Sequence, residues 1–372
     1  MQYPQQSYDR LYDPTAGELW QAKSTLPIEE DGDHYLNDPE YFEWWYFDAI
    51  CSNGINFVAF IHSSPFNSTI RDPLLDLRIT LPDGESSLSL NRYERRAFHS
   101  DRSSLQIGPS SIRIDTEGQY HLHLTQEDIS VRLVYQPCVP GWRAGTGQLF
   151  SDPASGRFFR WDVPIPNAYV SGQIEFDGVQ LEVRGRGYHD HNWGNLNLAS
   201  IFKRWYWGRA HLNGNQGDCI FVFGDLLSNV SDSIRVTPLV LFRSEEFVER
   251  PREVHIDIKQ TAIEPGTSVQ YPSSMNICAE WEHFGLEFNL QVQRTLAAEG
   301  FASPRFHILH LRKPAEILYY TSRGIPIIGS WFSKCLGEAT YLRFYAAANM
   351  EIVGELGGVY AGEAIFEYMK FH

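Results

Sequence analysis

Residues 185–194 read Gly-Arg-Gly-Tyr-His-Asp-His-Asn-Trp-Gly, which puts a phenol, a carboxyl, two imidazoles, an amide and an indole into one short stretch. The glycines let a neighbouring backbone pass close by. If the stretch is extended, Tyr188, Asp190 and Asn192 point to one side and His189, His191 and Trp193 to the other. A carboxyl flanked by a phenol, with imidazoles to tune it, has the composition of an acid-base unit. The same residues also suit a hydrogen-bonded corner, with Asp190 capping backbone amides and Asn192 closing a turn. Both readings stand at this level.

Other residue patterns narrow the chemistry. His189 with His191, and His121 with His123, each place two imidazoles on one face of an extended chain, the spacing of a cupin-like metal site. No carboxylate at ligand spacing accompanies the second pair, and the expectation is no metal. Glu43, Asp48, Glu363 and Glu367 are acids in aromatic segments; burial would raise their pKa values, but exposure at a rim is the expectation. There is no Gly-x-Ser-x-Gly elbow and no Walker loop. Gly185-Arg186-Gly187 lacks the strand-helix alternation of a dinucleotide fold, so no cofactor is expected.

The elements that must position these residues are strands. Segments such as Tyr120 to Leu124, Val131 to Leu133 and Val179 to Val183 alternate apolar with polar side chains, as a sheet with one wet face requires. Asn53-Gly54, Asp83-Gly84, Asp177-Gly178 and Asn213-Gly214 supply residues that accept the positive φ of tight hairpins. Helical patterning is confined to two short stretches, Ala315 to Tyr320 and around Trp331 to Leu336. An internal similarity organises the chain: Glu43-Trp44-Trp45-Tyr46-Phe47 followed by Asn53-Gly54 recurs as Arg204-Trp205-Tyr206-Trp207-Gly208 followed by Asn213-Gly214, with Trp205 160 residues after Trp45 and Asn213 160 after Asn53. The reading is an all-β protein of two antiparallel β-barrel domains, 1–197 and 198–372, related by duplication, with Trp45 and Trp205 at equivalent places.

Composition excludes several classes. A net charge of −15 with no extended basic run speaks against nucleic acid. Five scattered cysteines form neither a disulfide framework nor a zinc pair. No segment approaches the ~18 apolar residues of a membrane helix, and the first residues lack a signal-peptide layout, so a soluble cytoplasmic protein is expected. Ten tryptophans, 19 tyrosines and 23 phenylalanines against four methionines supply rigid rings, for a core or for walls around an apolar ligand.

Glu43-Trp44-Trp45-Tyr46, Trp161-x-x-Pro164, Gly185-x-Gly187-Tyr188-His189-Asp190-His191-Asn192-Trp193-Gly194 and Trp205-Tyr206-Trp207-Gly208-Arg209 together resemble the carotenoid 1,2-hydratase (hydroxyneurosporene synthase) and AttH-like superfamily. The resemblance implies two lipocalin-like barrels with a hydrophobic pocket in or between them. It also implies cofactor-free hydration of a terminal isoprenoid double bond, with the tryptophan, tyrosine and aspartate of that step falling on Trp161, Tyr188 and Asp190. Relatives of the same superfamily are fungal Diels-Alderases and other natural-product cyclases. The expectation is therefore an enzyme acting on C=C bonds of a hydrophobic isoprenoid or polyene. Asp190, Tyr188 and His189 are the expected catalytic residues, and Trp161, Trp193, His191, Asn192, Trp45 and Trp205 are expected to line the substrate. A pericyclase that folds a linear polyene, and a carrier that binds one unchanged, are the alternatives. Transient membrane contact to collect substrate, and the oligomeric state, are left open.

Overall fold

The computed structural model describes residues 26–66, 71–229, 231, 235–243, 246–300 and 339–371. The expected helices at 315–320 and 331–336 lie outside them. The chain divides into two compact units, with the division between Leu196 and Asn197. Each is built on one curled antiparallel sheet, so the protein is all-β with lipocalin-like half-barrels.

The first sheet contains β1 (Tyr41–Cys51), β2 (Asn56–Ser64), β3 (Leu74–Thr80), β4 (Ser86–Arg92), β5 (Phe98–Ser100), β6 (Ser104–Ile107), β7 (Ser110–Ile114), β8 (Tyr120–Gln126), β9 (Ile129–Pro137), β10 (Trp142–Asp152), β11 (Arg157–Phe176) and β12 (Val179–Asn195). Its order is β4-β3-β2-β1-β12-β11-β9-β8-β7-β6-β5, with β10 paired to β11. The Trp-rich strand is thus central, held between its hairpin partner β2 and the last strand β12.

The second sheet contains β13 (Phe202–Gly214), β14 (Gly217–Ser228), β15 (Arg235–Val236), β16 (Leu239–Arg243), β17 (Glu246–Glu249), β18 (Glu253–Ile263), β19 (Gln270–Glu280), β20 (Phe284–Gly300), β21 (Ala339–Gly354) and β22 (Gly358–Phe371). The order β17-β16-β14-β13-β22-β21-β20-β19-β18 repeats that of the first sheet, with a Trp-rich strand between its hairpin partner and the last strand. A four-residue helix, Leu198–Ile201, is capped by the Asn197 side chain, which accepts from the Ala199 amide at 3.0 Å.

Alternation fixes what each strand buries. In β1, Trp45, Phe47, Ala49 and Cys51 join an apolar core with Phe57, Ala59 and Ile61 of β2 and Leu75, Leu77 and Ile79 of β3. Each large side chain so buried contributes about 1.5–3 kcal/mol. In β13 the core residues are Tyr206, Ala210 and Leu212. Trp205 is absent from that core; its half-buried ring meets Phe371 edge-on at 5.0 Å. Trp45 and Trp205 therefore face opposite ways relative to their cores. One residue of shift in a period-two pattern swaps the faces, and the 160-residue offset is out of step by that one residue.

The turns differ for a related reason. Gly54, Gly84 and Gly178 take the positive φ expected of them, at 86°, 92° and 73°. Gly214 does not, because the ladder continues to the Gly214–Gly217 pair. Positive φ passes instead to Gly217, at 99°.

Candidate functional site

The register of β12 against its neighbours separates the motif into two buried faces. Tyr46 lies opposite Asp190, Asp48 opposite Tyr188 and Trp44 opposite Asn192, while on the other flank Trp161 of β11 lies opposite Asn192. Directly paired residues share a face. Asp190, Tyr188, Asn192, Trp161, Trp44, Tyr46 and Asp48 therefore stand together on the side of the sheet away from the apolar core, each at most 6% exposed.

Asp190 is the focus of this face. Its Oδ2 accepts from Trp161 Nε1 at 3.0 Å and from the Tyr188 hydroxyl at 2.9 Å, and its Oδ1 accepts from Asn192 Nδ2 at 2.8 Å. Tyr46 lies beside it, its ring 6.0 Å from that of Tyr188 and its hydroxyl donating to Asp48 Oδ2 at 2.9 Å. Trp142 abuts Trp161 edge-on at 5.6 Å. Two carboxyls, two phenols and three indoles thus occupy one dehydrated surface. Trp161 can only donate, but a hydroxyl can reverse, so Tyr188 can accept from a protonated Asp190 as readily as it donates to an ionised one.

The core-side face is a different device. The His189 ring stacks on Phe47 at 3.8 Å, with Nδ1 2.9 Å from the Tyr46 carbonyl and Nε2 2.9 Å from Asp31 Oδ2. His191 stacks on Trp45 at 4.3 Å and lies between Asp31, 3.2 Å from Nδ1, and Glu43, 3.0 Å from Nε2. Glu43 also accepts from Ser63 Oγ at 2.6 Å and from the His34 amide at 2.8 Å. Tyr120 donates to Asp31 at 3.0 Å, and Trp45 Nε1 donates to the Asp31 carbonyl at 2.9 Å. The imidazoles and rings thereby bind the short 3-10 turn Ile28–Asp31 to the end of the half-barrel. Gly187 allows this packing, since a Cβ there would lie 2.4 Å from the Tyr135 ring.

The charges follow from this geometry. Burial works against an imidazolium at His191, but hydrogen bonds to Asp31 and Glu43 outweigh it and raise its pKa to about 9. Burial favours neutral Asp31 and Glu43, yet their imidazole partners hold both below the ordinary carboxylate range. Asp33, half-buried beside the Glu43 carboxylate, is pushed up to about 7 by desolvation and by that neighbour. Asp162, opposite His191 in the register, is raised by burial to about 6 although Arg143 and Arg160 oppose the shift.

The structure therefore brings Asp190, Tyr188, Asn192 and Trp161 together and sets His189, His191, Trp193 and Trp45 on the opposite face. Trp205 belongs to the second unit. The expected rim exposure of the acids holds only for Glu363; Glu43 and Asp48 are 0% exposed and Glu367 is 8% exposed. Donors replace the lost water: Tyr341 donates to Glu367 at 2.7 Å, and Arg343 pairs with the same carboxylate. His121 and His123 are exposed, with His121 2.8 Å from Asp115. Among the described residues, His34, Glu43 and His191 bring metal-capable atoms within 4.8 Å of one another. Cys51, Cys138, Cys219 and Cys278 are free thiols.

Sequence reasoning missed Asp31, His34 and Tyr46. Asp31 sits in the run Glu29-Glu30-Asp31-Gly32-Asp33, which resembles a solvated loop; the signal available was a concentration of acids just upstream of a strand, matched by two histidines in the motif. On the core side a cavity bordered by Asp31, Trp45, Phe47 and Tyr120 measures about 20 Å³, room for about one water. A more open cleft of about 340 Å³ lies against Leu26, Tyr120, Pro137, Val139 and Pro164.

Fold and face together define a two-sheet lipocalin-like protein: its fold is similar to that of a Nitrosomonas europaea protein assigned to AttH, with a TM-score of 0.60 at 16% identity, over 95% of this chain and 98% of that one. The sequence relatives are more particular. The carotenoid hydratase CrtC family model matches residues 79–237, a span that contains Trp161, Tyr188 and Asp190. The chain is 28% identical over 221 residues to a hydroxyneurosporene dehydrogenase of Chlorobaculum tepidum, covering 48% of this chain and 55% of that protein. It is 25% identical over 187 residues to an acyclic carotenoid 1,2-hydratase of Rubrivivax gelatinosus, covering 46% and 45%. The chain spans about half the length of these curated relatives. The resemblance to carotenoid hydratases and AttH-like proteins is borne out. Among the described residues no helix is long and apolar enough to cross a membrane.

Proposed function

We propose that this protein is an enzyme that hydrates or cyclises a hydrophobic isoprenoid or polyene, with Asp190 as the proton donor and no organic cofactor. The observation that carries the reading is the Asp190 carboxyl 3.0 Å from Trp161 Nε1 and 2.9 Å from the Tyr188 hydroxyl on a buried face, within a segment similar to carotenoid hydratases. Asp190 gives its proton to the terminal alkene carbon, and the π electrons form the new C–H bond. The adjacent carbon becomes a cation, which the Trp161 and Tyr188 rings stabilise by up to ~2 kcal/mol each when water is excluded. The carboxylate left behind takes donors from Trp161, Tyr188 and Asn192. Water adds to the cation and returns a proton to Asp190; alternatively, a second double bond attacks, a ring closes, and a neighbouring C–H gives up the proton.

The three donors already on Asp190 favour a second reading. An ionised Asp190 then only orients Tyr188 and Trp161, which anchor a folded polyene for a pericyclic closure. Product formed in heavy water separates the two. Proton transfer leaves one solvent deuterium at the former alkene terminus, tested first with acyclic carotenoids and then with shorter isoprenoids. Product free of deuterium supports the pericyclic reading, and binding without turnover identifies a carrier.

A further inference from the structure

We propose that His62, on the same face as Asp190, binds a carbonyl oxygen of the substrate, so that the preferred substrate is an isoprenoid ketone or aldehyde and not a pure hydrocarbon. The proposal rests on the isoprenoid reading above and names the substrate class. His62 of β2 lies opposite Trp44, which lies opposite Asn192 across β1. Adjacent strands are ~4.8 Å apart and residues rise ~3.3 Å along each, which sets the His62 and Asp190 backbones about 12 Å apart on one face. A row of rings joins them: His62 is 6.0 Å from Phe60, Phe60 4.8 Å from Tyr46, and Tyr46 6.0 Å from Tyr188, whose hydroxyl reaches Asp190. That is the span of a short isoprenoid chain with its reacting alkene at one end.

His62 is 7% exposed, and its buried Nδ1 has no hydrogen-bond partner among the described residues. Native proteins rarely leave such an atom unmatched, because its lost hydration is not replaced. Burial and the positive charges of Arg92 and Arg78 hold the imidazole neutral, with a pKa of about 3. A neutral imidazole has one N–H to donate. The neighbouring guanidiniums of Arg92 and of Arg78, the latter 5.7 Å from the Phe60 ring centre and paired with Asp76 at 2.6 Å, favour a partner atom with partial negative charge. A carbonyl oxygen meets both demands, and a hydrocarbon meets neither.

The test is tryptophan-fluorescence titration of the full chain with geranylacetone and with the hydrocarbon of the same skeleton lacking the oxygen. The ketone should bind about tenfold more tightly, the worth of one well-placed buried hydrogen bond. His62→Phe should bring the two within about twofold by weakening only the ketone. His62→Gln, which keeps an N–H, should recover part of the preference. Equal binding by the wild type, equal weakening of both ligands by His62→Phe, or no binding of either overturns the proposal. The heavy-water experiment reads Asp190 independently: a product without deuterium rejects the proton-transfer reading while the ketone preference can persist.

Discussion

Six consecutive residues of β12 alternate between two buried environments, and the contrast lies in what each side chain is bound to. On the core side, His189 and His191 are clamped by carboxylates of a different segment, Asp31 and Glu43, between stacked rings. On the opposite side, Asp190 accepts hydrogen bonds from Trp161, Tyr188 and Asn192, three neutral side chains. Carboxylate–imidazole contacts tie segments together; a carboxyl held by neutral donors is placed to exchange a proton. The histidines are the commoner catalytic residue type, and here both ring nitrogens of each lie within 3.2 Å of an oxygen of another segment.

The largest effect should come from breaking the core-side clamp. Asp31→Ala or Glu43→Ala leaves His191 buried with one carboxylate in place of two, and losing a partner from a buried charged network costs about 3–5 kcal/mol. Chemical denaturation reads this directly. A loss under 1 kcal/mol would mean that the turn at residues 28–31 is not held by its charges.

Next in size is the opposite face. Trp161→Phe keeps a ring but removes the donor to Asp190, and should lower kcat by about tenfold to a hundredfold, in line with a catalytic hydrogen bond, with the melting temperature nearly unchanged.

The pH dependence of stability sharpens the same contrast. Because the folded-state pKa of His191 is raised to about 9, its contribution is complete below the unfolded value near 6.5 and is lost as pH rises toward 9. Asp31 and Glu43 are depressed, so theirs is present above about pH 4.5 and lost as pH falls. Raised Asp162 and Asp33 add a decline as pH climbs through about 6 and about 7. Thermal melts should therefore peak in mildly acidic buffer and fall by several degrees toward pH 9, and His191→Gln should flatten the alkaline side.

The smallest effect compares the two units. Trp45→Phe removes a donor to the Asp31 carbonyl in a closed core and should cost about 1–3 kcal/mol. Trp205→Phe trims a half-buried ring and should cost less than about 1 kcal/mol. Equal costs would contradict the opposite orientations of these tryptophans.

Much of this was legible in the residues. Period-two alternation gives the strands, and the recurrence of a Trp-rich strand with its hairpin gives two similar sheets, because both signals are local. The same alternation correctly splits Tyr188, Asp190 and Asn192 from His189, His191 and Trp193. Pairing partners were not legible: Asp31 reaches His189 across 158 residues, and nothing in an acidic run says which cation it meets. The face of Trp205 was misjudged because similarity of sequence tolerates a one-residue shift, whereas a pleated strand does not. His62 escaped notice for the opposite reason, since a single histidine in an apolar strand carries no pattern at all.

The central claim, that chemistry sits on one face of β12 and structure on the other, is tested most directly by measuring kcat and melting temperature for Asp190→Asn and His191→Gln side by side. Asp190→Asn keeps the volume and removes the acid; it should cut kcat by about 10²–10⁴, the usual worth of a general acid, while melting within a few degrees of wild type. His191→Gln should melt many degrees lower and, at a temperature where it is folded, turn over within a few-fold of wild type. The reverse pattern, a stable but inactive His191 variant and an active but unstable Asp190 variant, would contradict the account.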